Sequence, residues 1–290
     1  MLRRILNLSL REVFYLPFIR IPLEWNYQIA KQKYATHLPV LSSDDLTCVN
    51  SLKNQGVFLS SLDKLNLAST PKLLQASHSL IPELLRVSPQ RKNQYYIEAT
   101  PTQINNYLDI FLWGLEEKLI NIAEKHLGLP VFYMGPSFRR DLVNGMQIKS
   151  RRWHIDHEDR HMLKIFIYLN DVNEDGGPFQ YIPRNGSELA KRLIRYRHST
   201  VSDKVMQSII PACEWKSSIG NAGTVIFADT GSIFHRGKVP LNSERFVIIF
   251  SYTSKFPKNP HYCKSIFYKQ QLNTLANSLS SRQRNCLFMR

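Results

Sequence analysis

The sequence predicts a mainly β protein with flanking helices. After residue 130, short β-type runs alternate with turns, and eight such runs fall between residues 131 and 254. This density of short strands is typical of a sandwich or a barrel. Before residue 130, a stretch of helical periodicity offers a layer against which a sheet can pack. The 290 residues, 43% of them hydrophobic, are enough for one large domain.

We divide the chain into a basic, aromatic N-terminal segment (1–43), a main domain (44–256) whose β core spans about 131–254, and a basic tail (257–290). Arg11 and Glu12 end the first apolar run too early for a signal peptide, and no stretch approaches the roughly twenty apolar residues of a membrane span. The N-terminal segment either touches lipid as an interfacial amphipathic element or, more commonly for such segments, packs along the outside of its own domain.

Capping signals place the first helices. Ser42 precedes a helical run that ends at Asn54, and Gly56 follows as a C-terminal cap, after which a short strand covers 57–59. The polar region 66–102 is predicted to be loops with short helices that could cover the site as a lid. Thr100 and Gln103 then form a capping-box pattern for one long amphipathic helix over 104–127.

The β region follows in order. The predicted strands are 131–134, 138–142, 146–154, 163–169, 179–182, 224–228, 233–236 and 245–253. The run 186–198 is predicted to be a basic helix, and 201–215 is an insertion without a clear pattern. A short helix is expected over 269–279, and the residues beyond it are expected to fray.

The formal charge of +15 favours an anionic partner, because long-range attraction draws opposite charges together. Nucleic acid, an anionic membrane face, a CoA thioester and an acidic carrier protein all fit, and so does a simply solvated basic surface. Four dispersed cysteines without a C-x-x-C spacing indicate neither a disulfide framework nor a thiolate zinc site. This cysteine pattern favours a reducing compartment, and the expected location is the cytoplasm, with peripheral membrane contact left open.

Candidate metal ligands occur at three positions. In an extended segment, residues two apart point to the same side, so the His154 imidazole and the Asp156 carboxylate face one side together. His235, which follows the strand-like run 224–228, is the best candidate for a third ligand. Two imidazoles and one carboxylate on one face suit Fe(II) and leave three coordination positions open. Arg245, ten residues after His235, can clamp a carboxylate through its planar guanidinium.

These residues, together with Gly-Gly-Pro-Phe-Gln-Tyr-Ile-Pro at 176–183, resemble the phytanoyl-CoA dioxygenase-like branch of the Fe(II)/2-oxoglutarate oxygenases over residues 131–254. The resemblance implies a double-stranded β-helix core, that is, a cupin-like jelly roll. It also implies that His154, Asp156 and His235 bind iron, that Arg245 grips the distal carboxylate of 2-oxoglutarate, and that O2 is the second cosubstrate.

Two further residues share one face of the predicted strand 163–169. Phe166 matches a position at which the family often carries an aromatic beside the cosubstrate, and Lys164 could assist as a second cation, although a lysine at a strand entrance is more often solvated. The chain departs from many relatives two residues beyond the distal histidine, where Gly237 replaces a serine or threonine. An extra hydroxyl contact to the cosubstrate is therefore not expected.

By this resemblance the protein is a hydroxylase that releases succinate and CO2. Its substrate would be a small molecule, an acyl thioester or a lipid-like compound. Because Asp156 is retained as a carboxylate ligand, halogenation is disfavoured. Nucleic-acid demethylation is also disfavoured, because Ser251 stands where the repair dioxygenases carry a second arginine.

Two alternatives from other classes remain at this stage. The first is a zinc hydrolase that uses His154, Asp156 and the adjacent His157. The second is a non-catalytic basic adaptor that binds a membrane or nucleic acid, with steep salt dependence. His161 is expected in an exposed turn, and the remaining histidines, including His126, His198 and His261, are expected at the surface.

Overall fold

The computed structural model describes residues 17–197 and 199–289. Two antiparallel sheets form its centre. The larger sheet has the strand order β1-β7-β4-β9-β3-β2, and the smaller has the order β6-β5-β8. The strands are β1 (Val57–Ser61), β2 (Tyr96–Glu98), β3 (Val131–Asp141), β4 (Leu163–Tyr168), β5 (Phe179–Tyr181), β6 (Lys216–Ser218), β7 (Thr224–Asp229), β8 (His235–Gly237) and β9 (Arg245–Ser254).

Helices surround the sheets, and most lie before β3 in the chain. Their bounds are α1 (Pro17–Tyr34), α2 (Ser43–Asn54), α3 (Leu62–Leu65), α4 (Thr70–Arg86), α5 (Pro101–Asn106), α6 (Leu108–Trp113), α7 (Glu117–Leu127), α8 (Arg184–Leu193), α9 (Asp203–Gln207), α10 (Lys269–Ala276) and α11 (Ser281–Leu287). The predicted capping signals are confirmed: Ser42 accepts a hydrogen bond from Asp45 N, and Thr100 and Gln103 form the capping box of α5.

The larger sheet is buried on both faces. One face packs against the helices in a cluster that includes Phe111, Trp113, Ile165 and Phe250. The other face meets the smaller sheet, where Phe166 and Ile226 pack against Phe179 from β5. Because both faces are covered, the residues 165–168 of β4 and 225–228 of β7 are continuous apolar runs rather than alternating ones.

The prediction of one continuous helix over 104–127 is wrong, because the chain forms three helices there. Tyr107 breaks the first from the second with φ −114° and ψ 57°, and Glu116 has the extended ψ of 135°. At Gly114, an added Cβ would overlap the Tyr133 hydroxyl, so a close backbone approach to β3 decides this turn. Helical periodicity persists across the breaks because all three helices bury their apolar side in one core.

Other predictions also need correction. Residues 66–102 contain the 17-residue helix α4 rather than mainly loops, and 281–287 form helix α11 rather than a frayed end. Both elements bury apolar side chains in the helical core, which stabilises them. The expected strand over 146–154 is instead a short 3-10 turn followed by isolated bridges, and the strand β6 was not predicted. The division of the chain into three parts stays a prediction.

Helix α1 lies on the outside of the domain. Tyr27 is buried with Arg160 stacked 4.0 Å above its ring, and Glu24 Oε2 pairs with Arg160 Nε at 2.7 Å. The opposite face of α1 exposes Phe18, Trp25 and the intervening Ile21. Residues 1–16, which include part of the predicted N-terminal segment, lie outside the described residues. Among those described, no helix combines the length and the hydropathy that crossing a membrane requires.

Candidate metal centre

The predicted ligands His154 and His235 lie side by side. Their backbones form an isolated antiparallel bridge, with His154 N to His235 O at 3.1 Å and His235 N to His154 O at 2.9 Å. His235 opens β8, which pairs with β5 across the smaller sheet. The two imidazole centroids are 4.2 Å apart. The isolated bridge, rather than a continuous strand over 146–154, therefore brings these distant residues together.

Asp156 completes the group, because one ligand atom from each of the three residues lies within 4.8 Å of the others. Asp156 Oδ1 is 3.8 Å from His154 Nε2, and Oδ2 is 3.7 Å from His235 Nε2. The backbone holds Asp156 in place through a 2.9 Å hydrogen bond from its N–H to Thr230 O. The structure thus brings together the pair that the spacing suggested, His154 and Asp156, and the separately chosen candidate His235.

Both imidazoles are oriented by main-chain carbonyls. His154 Nδ1 lies 2.9 Å from Arg152 O, and His235 Nδ1 lies 3.2 Å from Ile233 O. A carbonyl only accepts, so Nδ1 carries the proton and donates it, and the Nε2 lone pair of each ring faces the cluster. This orientation of a ring by an outer hydrogen bond is typical of metal-binding histidines.

The electrostatics of the cluster also suit a cation. Burial, and then the neighbouring His154, lowers the pKa of His235 to about 3, and burial lowers the pKa of His154 as well, so both rings are neutral at pH 7. Burial acts to raise the pKa of Asp156, but the Lys164 ammonium, together with the two imidazoles when they are protonated, outweighs it and holds that pKa below its ordinary value. The cluster therefore presents two imidazole lone pairs and one carboxylate whose charge is shared with Lys164.

Lys164 lies inside this site rather than in solvent. Its Nζ is 2.6 Å from Asp156 Oδ2, yet that buried oxygen has no hydrogen bond of acceptable angle. The short distance identifies an ion pair, and the poor angle leaves the oxygen able to take another partner. The donor set fits a metal ion, because two imidazole nitrogens and one carboxylate converge in a buried site and Oδ2 has a lone pair beyond its ion pair with Lys164.

Arg245 is buried and does not point into solvent. Its Nε and Nη2 donate to Asp141 Oδ2 at 2.9 and 2.6 Å, and its Nη1 donates to Gly177 O. A Cβ built on Gly237 would lie 3.0 Å from Arg245 Nη2, so the glycine makes room for the guanidinium two residues beyond His235. The replacement of a serine or threonine by Gly237 is thereby linked to the position of Arg245.

The sequence reasoning missed Asp141, the ion partner of Arg245. Its signal was a single carboxylate at the end of a strand, directly after Arg139 and Arg140, but only the register of β3 against β9 places it opposite Arg245. Phe166 lies on the inner face of the larger sheet, with its ring 4.7 Å from that of Phe179, and its place beside a cosubstrate stays a prediction. Phe179 stacks in turn on His235, with ring centroids 5.7 Å apart. The rings of Phe166 and Phe179 therefore form the apolar border of the metal-ligand cluster on this side.

The remaining histidines of the segment lie elsewhere. The His157 ring meets Tyr262 edge-on at 4.4 Å, and His157 belongs to neither group of convergent ligand atoms found among the described residues. His161 contacts Asp229 instead of standing free in a turn, and His126 is buried, so the expectation that it lies at the surface is wrong. His261 is partly exposed, and His198 falls outside the described residues.

No family model matches the sequence, and the comparison with curated proteins gives no match. Solved structures do match. HygX from Streptomyces hygroscopicus, with nickel and 2-oxoglutarate bound, is 14% identical with a TM-score of 0.50, and the match covers 74% of this chain and 88% of that one. EctD from S. alaskensis, with 2-oxoglutarate and 5-hydroxyectoine, is 16% identical with a TM-score of 0.51, covering 78% and 83%.

A third match is SnoK, a non-heme alpha ketoglutarate dependent carbocyclase from nogalamycin biosynthesis. It is 18% identical with a TM-score of 0.50, and the match covers 74% of this chain and 85% of that one. The structural neighbours are thus iron- and 2-oxoglutarate-dependent oxygenases. At these identities the likeness shows the fold, and it confirms the predicted double-stranded β-helix with flanking helices.

Proposed function

We propose that the protein is a non-haem Fe(II)- and 2-oxoglutarate-dependent dioxygenase of the phytanoyl-CoA dioxygenase-like type. The observation that carries the proposal is the convergence of His154, Asp156 and His235 with both Nε2 lone pairs directed inward. Two imidazoles and one carboxylate on one side of an ion form the facial arrangement that non-haem Fe(II) oxygenases use. Both of these neighbours hold 2-oxoglutarate, HygX together with nickel, which supports the same cosubstrate and a divalent metal ion.

The iron, with 2-oxoglutarate and O2, would supply the oxidising chemistry, with release of succinate and CO2. The chain's own residues fix the geometry around it. His154, Asp156 and His235 would hold the ion, and their backbone partners keep each donor atom in place. Phe166 and Phe179 limit the access of water on the side of the smaller sheet.

Arg245 retains donors for a cosubstrate carboxylate. A guanidinium carries five N–H groups; the hydrogen bonds to Asp141 and Gly177 use three of them, and the Tyr168 hydroxyl is a further side-chain partner. We propose that the N–H left on the terminal nitrogens donates to the distal carboxylate of the cosubstrate. Because Asp141 already offsets the positive charge, we propose that Arg245 contributes directional hydrogen bonds more than net charge.

The proposed reaction is hydroxylation of a small molecule, an acyl thioester or a lipid-like substrate. The net charge of +15 favours an anionic or carrier-bound form of that substrate. The zinc hydrolase alternative loses its distinctive ligand, because His157 packs against Tyr262. A basic adaptor without catalysis would have no need of three inward-facing ligands in a buried site.

The test is Fe(II) binding under anaerobic conditions, followed by O2-dependent conversion of 2-oxoglutarate to succinate without added substrate. We expect about one functional Fe(II) at the His154 cluster and slow succinate formation. Replacing Asp156 by Asn should abolish succinate formation, whereas His78→Gln, at an exposed histidine of α4, should leave it unchanged.

Other results would contradict the proposal. A zinc-dependent hydrolytic activity that ignores 2-oxoglutarate would favour the hydrolase. Absence of Fe(II) binding, combined with nucleic-acid or vesicle binding that falls steeply with salt, would favour the adaptor.

A further inference from the structure

A second group of metal-ligand atoms lies outside the proposed iron site. His126 at the end of α7, His161 just before β4 and Asp229 at the end of β7 each offer one atom within 4.8 Å of the others. His161 Nδ1 is 2.7 Å from Asp229 Oδ2, and His126 Nε2 is 3.2 Å from the same oxygen. Three separate elements, from the helical layer and the larger sheet, thus meet at this carboxylate.

The buried side chain of His126 is the independent observation that points to a bound ion in this group. Its side chain is only 2% exposed, and neither ring nitrogen makes a hydrogen bond of acceptable geometry. Nε2 points towards Asp229 Oδ2 without an angle that would let it donate well. Burial of this imidazole is costly, because Nδ1 has no hydrogen-bond partner and Nε2 has only the 3.2 Å contact with Asp229. An ion held between His126, His161 and Asp229 would satisfy Nε2 directly.

Arg184 also lies at this group, with Nη2 2.9 Å from Asp229 Oδ2 and 2.8 Å from Leu52 O. A guanidinium repels a bound cation. The proposed iron site has an equivalent positive group, because Lys164 forms an ion pair with its carboxylate ligand Asp156. A carboxylate oxygen has more than one lone pair, so it can bind an ion and still accept from an outer donor. Met162 N holds the other carboxylate oxygen at 3.2 Å.

An ion can reach this group from solvent. The His161 side chain is 36% exposed, and His161 lines a groove of about 1240 Å³ beside α1. None of the three proposed iron ligands lines that groove. Water in the groove could therefore complete the coordination that three protein ligands leave open.

We propose that His126, His161 and Asp229 form a second metal site for a zinc-class divalent ion. Imidazole nitrogen and carboxylate oxygen are donors that Zn(II) prefers, and the fourth position faces the groove. The ion fastens α7 to the end of β7. Its ligand Asp229 directly precedes Thr230, whose carbonyl accepts a hydrogen bond from the Asp156 N–H. This site does not depend on the proposed oxygenase function.

The test is the number of Zn(II) ions that each metal-free protein binds, measured by equilibrium dialysis and elemental analysis. We expect two ions for the wild-type chain and for the control His78→Gln. We expect one ion for His161→Gln, one for His154→Gln and none for the double variant. His161→Gln is the main variant, because its partly exposed position should tolerate the change. The buried His126→Gln is added only if circular dichroism shows that it is folded.

The variants keep the two proposals separate. If the wild-type chain binds one ion and His161→Gln loses it, this second site stands and the iron site fails. If His161→Gln binds as many ions as the wild-type chain, the second site is overturned, whatever happens at His154. A second readout is the zinc-induced rise in Tm of the His154→Gln protein, which should vanish when His161→Gln is added. Persistence of that rise would also overturn the proposal.

Discussion

Asp141 and Arg245 stand directly opposite each other on β3 and β9 and form a buried ion pair, with Asp141 Oδ2 2.6 Å from Arg245 Nη2. The pair lies at the end of the larger sheet, beside Gly177 of the Gly-Gly-Pro turn. It positions the guanidinium before any cosubstrate arrives, because Nε and Nη2 share one acceptor. Arg245 therefore has Asp141 as its structural partner and 2-oxoglutarate as its proposed ligand.

Replacing Asp141 by Ala should lower the free energy of unfolding by about 3–5 kcal/mol, because it leaves a buried guanidinium uncompensated. Urea unfolding at pH 7 measures the change. The control is Glu98→Ala, which removes the half-exposed partner of Arg139 and should cost about 0–1 kcal/mol. Equal decreases in the free energy of unfolding of the two variants would show that the buried Asp141–Arg245 pair contributes no more than the partly exposed pair.

Replacing Arg245 by Met should raise the KM for 2-oxoglutarate. Hydrogen bonds to a charged group contribute about 1.5–3 kcal/mol, which corresponds to roughly a 10- to 150-fold increase. The uncoupled succinate assay measures it, with Arg86→Gln, an exposed arginine of α4, as the control. An unchanged KM in a folded Arg245→Met protein would remove Arg245 from the proposed cosubstrate site.

Replacing Gly114 by Ala should lower the free energy of unfolding by about 1–3 kcal/mol, the usual cost of overpacking. The added Cβ would collide with Tyr133, whose hydroxyl donates to Phe111 O at 3.0 Å. Gly176→Ala is the comparison, since its nearest neighbour would be the Ser243 hydroxyl at 3.3 Å. Thermal unfolding of both variants tests this, and a neutral Gly114→Ala would contradict the close approach.

Lys258 gives a pH dependence with a definite sign. Burial, followed by the nearby cations Arg20, Arg160 and Lys191, lowers its pKa from 10.5 to about 8. Between these two values the unfolded chain binds the proton that the folded chain has released. The contribution of Lys258 to the free energy of unfolding therefore increases as the pH rises from about 8 to about 10.5.

The measurement is urea unfolding at pH 7.5 and pH 9.5 for the wild type and for Lys258→Met. The wild type should gain stability relative to the variant at the higher pH. A difference between the two proteins that does not change with pH would show that the folded Lys258 keeps an ordinary pKa. Lys72→Met, at an exposed lysine of α4, serves as the control for general alkaline effects.

The sequence by itself determined the local features. The caps at Ser42 and Thr100, the short apolar strands after residue 130 and the spacing of His154 and Asp156 all depend on neighbours within a few residues. His235 and Arg245 were selected from their places beside β-type runs, and the family resemblance implied their roles; the structure brings His235 to the cluster and buries Arg245. Their roles as ligand and clamp stay predictions until they are measured.

Only the tertiary structure decided the rest. The β3–β9 register set Asp141 against Arg245, and packing against Tyr133 set the turn at Gly114 that ends α6. The same long-range packing buried His126 beside Asp229 and aimed Lys164 at Asp156. These contacts join residues far apart along the chain, and their free energies depend on burial and register, which no local pattern of residue types records.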